Sequence, residues 1–128
     1  MRYDQPFSRV LRLSAWGCVG LIAILSLLPA QEMVRTSLGG HVEHATAYAG
    51  TATLLRLSYP TRWKQIAAAL VIYAGLLELL QNFSPDRHPT VADWLSSSTG
   101  ALTGIAVISI SQQIWWRRRR RLRLPGQA

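Results

Sequence analysis

The sequence predicts an all-α protein, a four-helix transmembrane bundle with both termini in the cytoplasm. Three observations carry that expectation. Charged residues are only 16% of the 128 positions, against roughly 25% in an ordinary soluble domain. Four mainly apolar stretches each approach the ~20 residues that cross a hydrocarbon core ~30 Å thick. The basic residues are also divided very unevenly among the segments between those stretches.

The first helix is expected over residues 13–29. Leu13 to Leu28 carries no charge, and Pro29 ends the run because it cannot continue a helix. Arg2, Arg9 and Arg12 precede it as in a secretory signal. However, Leu28-Pro29-Ala30 lacks the small residues that a cleavage site needs, so the segment reads as a retained span. The second helix, 38–57, is the least apolar, with His41, Glu43, His44 and Arg56 inside its limits. It is required by the other three, because an even number of spans balances the charge pattern. The third, 65–83, is charged only at Glu78, and the fourth, 94–116, has no charge at all. One domain spans residues 1–128, with a basic tail at 117–128.

Orientation follows from Lys and Arg, which concentrate on the cytoplasmic side. The N-terminal arm, the second connection (Arg56, Arg62, Lys64) and the tail hold twelve, while the other two connections hold only Arg35 and Arg87. Trp63, Trp94, Trp115 and Trp116 fall at expected helix ends, where interfacial aromatics belong. The run Arg117 to Arg121 with Arg123 resembles a nucleic-acid contact in composition. Directly after a membrane helix, it reads instead as an anchor to anionic lipid headgroups, so membrane lipids and no nucleic acid are the expected partners. A single cysteine, Cys18, excludes a disulfide framework and reads as a small packing residue.

Polar groups collect on the other side. Glu32, Glu43, Glu78, Asp86, Asp93 and all three histidines lie there by this topology. Ionisable groups at membrane depth are costly and mark functional interiors. His41, His44 and Tyr48 share one helical face, at i, i+3 and i+7. Glu78 and Gln81 are i, i+3 near the outer end of the third helix, with Glu78 ~20 Å along the axis from Lys64. Asp93, Ser97, Gly100 and Gly104 share a face of the fourth, and Gly100-x-x-x-Gly104 admits close approach of a neighbouring backbone. Between them, a short connection stiffened by Pro85 and Pro89 presents Arg87.

These residues resemble the VanZ-like family of small bacterial membrane proteins. The resemblance rests on His44-x-x-x-Tyr48, Glu78-x-x-Gln81-x-Phe83-x-Pro85-x-Arg87, Thr90-x-x-Asp93-x-Leu95 and Gly100-x-x-x-Gly104, and covers roughly residues 13 to 116. The chain departs from the family pattern at His41, where Lys is common, at Thr90 (often Ser) and at Ser97 (often Asn). The resemblance implies a multi-pass protein of the bacterial cytoplasmic membrane, in a family whose named member is associated with low-level teicoplanin resistance. It implies no general biochemical activity.

The leading expectation is an outward-facing polar pocket lined by His44, Tyr48, Glu78, Gln81, Arg87, Asp93 and Ser97. It would bind an amphiphilic or lipid-linked anionic molecule of the cell envelope, Arg87 gripping a phosphate or carboxylate bidentately. The alternative is a membrane enzyme acting on a lipid or lipid-linked headgroup, with His44 and Glu78 as acid and base. A third reading makes the polar cluster only helix–helix glue. No cofactor is expected. A metal is not expected either, since His41 and His44 at i, i+3 chelate less well than the i, i+4 pair of zinc helices.

Overall fold

The computed structural model describes residues 5–29, 39–84 and 88–122. Among these residues, four helices follow in order: α1 Gln5–Leu27, α2 Gly40–Ser58, α3 Trp63–Leu80 and α4 Val91–Leu122, with a 3₁₀ turn at Gln81–Phe83. The segments Ser8–Leu27, Trp63–Phe83 and Val91–Arg121 are each long and apolar enough to cross a membrane. The chain is therefore a multi-spanning, all-helical membrane protein. Its outer surface suits hydrocarbon: Leu13, Leu21, Ile24, Ile72, Leu76, Leu79, Leu102 and Ile110 are all exposed.

The helix ends differ from those expected. α1 begins at Gln5 rather than near Leu13 and stops two residues before Pro29. α4 begins at the Thr90 cap and runs on through the arginines to Leu122, so part of the basic tail is helical. Arginine is a good helix former, and Arg119 stacks on Trp115 one turn back, 3.9 Å from the ring centroid. At its start, α4 has a reciprocal cap. The Asp93 N–H donates to Thr90 Oγ1 at 3.1 Å, and that hydroxyl donates to Asp93 Oδ2 at 2.7 Å.

α2 is less apolar than the three spanning segments, and its packing explains how that polarity is accommodated. It is the central helix, touching α1, α3 and α4. Tyr48, Thr51, Ala52, Leu55 and Arg56 are buried against those neighbours. Its polarity is therefore covered by protein, which is how a membrane bundle accommodates polar groups. Its closest approach is to α4. A Cβ added at Gly100 would fall 2.1 Å from the Ala45 carbonyl oxygen, and one added at Gly104 would fall 2.3 Å from that of Ala49. Two small-residue stripes thus let the backbones touch, as membrane helix seams require.

Arg56 closes the other end of that seam. Its sequence position suggests an interfacial charge, but the side chain is buried. Its Nε donates to Ser109 Oγ (3.3 Å), Nη1 to the Pro60 carbonyl (2.7 Å) and Nη2 to Gln112 Oε1 (3.1 Å). One planar guanidinium thereby joins α2, the following turn and α4. Hydrogen bonds to charged groups contribute about 1.5–3 kcal/mol each. Arg56→Lys is expected to lower the detergent melting temperature clearly, because an ammonium cannot present the same fork to three acceptors. A lysine variant that melts with the wild type would show that this junction contributes nothing.

α1 and α3 are held by Tyr73, whose hydroxyl donates to the Val19 carbonyl at 2.7 Å. Ser84 Oγ donates to the Leu27 carbonyl at 3.1 Å, bringing the ends of α1 and α3 together. Trp94, expected as an interfacial belt residue, is instead half-buried on α3. Its indole N–H donates to the Val71 carbonyl at 3.0 Å, and the ring lies over Gly75.

Candidate functional site

The start of α2, the end of α3 and the start of α4 meet at the end of the bundle away from the arginine run. Each contributes one proton-active side chain. His44, Glu78 and Asp93 have ligand-type atoms all within 4.8 Å of one another. Three residues far apart in sequence converge here because the small-residue seam sets α2 on α4, while the short connection after Phe83 returns the chain beside α3.

Each group is oriented by a neighbour. Glu78 is 8% exposed, and its Oε2 accepts the Thr90 backbone N–H at 3.3 Å. This N–H lies at the mouth of α4, where no intrahelical acceptor exists. Ser97 Oγ lies 3.3 Å from His44 Nδ1 and is almost fully buried. That contact fixes the ring, and leaves the tautomer to the chemistry around it. Asp93 is held twice, by the Thr90 hydroxyl on Oδ2 and by His41 Nδ1, 2.9 Å from Oδ1. His41 is the exposed rim of the cluster, with 64% of its side chain open.

Of the residues expected to form the site, the structure brings together His44, Glu78, Asp93 and Ser97. Tyr48 is buried one turn deeper on α2, its ring centroid 6.5 Å from that of Tyr73. Gln81 is buried one turn beyond Glu78 on the same face, 3% exposed, and its Nε2 has no hydrogen-bond partner. Arg87 lies outside the described residues.

Two participants were missed as site residues. The sequence puts His41 on the correct face but gives no sign that it joins the lining, and it presents Thr90 only as part of a motif. The Thr90-x-x-Asp93 spacing is itself a capping signal, and its second acceptor, Glu78, is visible only in three dimensions.

The donor set of one imidazole and two carboxylates admits two kinds of chemistry. It can pass protons, since an imidazole beside carboxylates can act as acid or base. It is also of a composition that holds divalent cations. Ligands ~2.0–2.2 Å from an ion would have to close somewhat from the present spacing. Direct proton transfer needs about 2.6–3.2 Å or one bridging water, so a spacing of up to 4.8 Å leaves room for either an ion or a bridging hydroxyl. No protein family, no curated protein and no solved structure matches the chain.

Proposed function

We propose that this protein is a membrane enzyme acting on a lipid or lipid-linked headgroup by acid–base chemistry at His44 and Glu78. The observation that carries the reading is the convergence of His44, Glu78 and Asp93 from three helices within 4.8 Å. Packing alone does not call for two carboxylates and an imidazole in one place near the end of an apolar bundle. In this reading Glu78 takes a proton from an attacking hydroxyl or water, and His44 delivers one to the leaving oxygen. Asp93, pinned by Thr90 and His41, stabilises the charged imidazole. The substrate is an anionic amphiphile whose chain lies among the apolar helices. In the same reading all four helices span the bacterial cytoplasmic membrane with both termini in the cytoplasm, and the motifs quoted above support a VanZ-like protein with a link to glycopeptide resistance.

The test uses the full chain in vesicles of bacterial total lipid extract, with lipids followed by mass spectrometry. At least one headgroup species is expected to be consumed by the wild type. It should persist with His44→Asn, provided that variant keeps its melting temperature. Identical lipid profiles for the wild type and His44→Asn would overturn the enzymatic reading.

A second reading, binding without turnover, is favoured by one observation. The buried Gln81 amide donor has no partner, and unsatisfied buried donors are rare enough to suggest a missing acceptor. A lipid that co-purifies unchanged with the wild type, and is lost from Gln81→Leu, would select that reading.

A further inference from the structure

At the basic end of the bundle, a groove of 370 Å³ lies between α1 and α3, floored by α2. Its base is apolar, formed by Leu55, Ile66 and Leu70, and its walls are Trp16 and Tyr73. The polar tips of these aromatics are turned to protein partners. Trp16 Nε1 donates to the Tyr59 hydroxyl at 3.2 Å, and the Tyr73 hydroxyl donates to the Val19 carbonyl. Apart from Gln65, one turn from Arg62, the lining therefore offers hydrocarbon contact and little hydrogen bonding.

The mouth has the opposite character. Arg62 lines it, and the Arg12 guanidinium stacks on Tyr59, 5.5 Å from the ring centroid. Neither arginine has a carboxylate partner among the described residues. The groove reaches from Arg62 to Tyr73, eleven residues of helical rise or ~16 Å. That is about the depth of one leaflet of a core ~30 Å thick. A charged mouth one leaflet above an apolar floor matches one molecule in both chemistry and length.

We infer that this groove is a binding site for an anionic glycerophospholipid of the leaflet on the basic side. One acyl chain lies along Leu55, Ile66 and Leu70, and the phosphate sits between Arg12 and Arg62. The site is independent of the His44–Glu78–Asp93 cluster, which lies at the other end of the helices.

Native mass spectrometry of the full chain released from nanodiscs of equal phosphatidylglycerol and phosphatidylcholine tests this. The wild type is expected to retain one phosphatidylglycerol in preference to phosphatidylcholine by roughly tenfold or more, as two guanidinium contacts to one anionic headgroup imply. Arg12→Gln/Arg62→Gln removes two exposed side chains and should abolish the preference. Arg117→Gln/Arg118→Gln removes the same charge from the end of α4 and should leave it intact. Ala69→Trp, at the exposed rim of the groove, should expel the lipid without altering the arginines. Added inorganic phosphate should not displace it, because the chain supplies part of the affinity. Equal retention of the two lipids, equal loss in the two arginine pairs, or displacement by phosphate would each overturn the inference.

Discussion

Gly100→Val is expected to abolish the folded bundle. The space beside Gly100 is filled by the backbone of α2. An added Cβ would fall 2.1 Å from the Ala45 carbonyl oxygen and 2.7 Å from its Cα. Overpacking a core typically costs about 1–3 kcal/mol when neighbouring side chains can shift. Here the obstacle is main chain, and relief requires α2 and α4 to separate along their closest contact. The expected loss exceeds that range, a large part of a total stability of about 5–15 kcal/mol. Even Gly100→Ala carries the offending Cβ and should fall in the same direction. The variant should aggregate in size-exclusion chromatography in detergent, or melt far below the wild type. Ala45→Gly should not rescue it, because the clash is with atoms that glycine retains. A Gly100→Val protein that elutes and melts like the wild type would show that the α2–α4 seam is looser than described.

That seam was legible in the sequence, and the reason is local. Gly100-x-x-x-Gly104 within the uncharged stretch 94–116 has few uses besides close packing. The long apolar helices were legible on the same grounds, since length and composition alone qualify them. α2 was not legible in this way. Its polar residues face other helices, so its own hydropathy understates how deeply it is buried, and only the balance of charges called for it. Arg56 shows the same difficulty from the other side. A guanidinium near a helix end reads as an interfacial charge, and nothing in the chain announces that Ser109 and Gln112 wait on another helix. The site was half legible. Helical periodicity put His44, Glu78, Asp93 and Ser97 on inward faces but could not say how close three faces come. The role of His41 is hidden in the sequence because its partner, Asp93, is 52 positions away. Binding is the leading expectation from the sequence because Arg87 dominates that reading; the convergence of an imidazole with two carboxylates in the structure moves the weight to proton chemistry.

Substitutions at Glu78 separate chemistry from architecture. Glu78 Oε2 accepts the Thr90 N–H, so the side chain caps α4 as well as standing beside His44 and Asp93. Glu78→Gln keeps an acceptor of the same reach and should lose less than ~1 kcal/mol, about the net value of one neutral hydrogen bond. It removes the group proposed to take up the proton, and headgroup turnover should fall about 10²–10⁴-fold, the usual contribution of a positioned acid or base. Glu78→Leu removes both functions. The Thr90 N–H then loses its side-chain acceptor, and the net loss of one hydrogen bond costs about 0.5–1.5 kcal/mol. The leucine variant should therefore melt below the glutamine variant while both lose activity. The comparison requires two measurements on each protein, thermal unfolding in detergent and lipid turnover in vesicles. If Gln and Leu destabilise equally, the carboxylate charge itself holds the helices together and the cluster is a strut. If Glu78→Gln turns over substrate like the wild type, the proton passes through another group. Acid–base chemistry at Glu78 requires the remaining pattern: a stable glutamine variant without turnover and a weaker leucine variant without it.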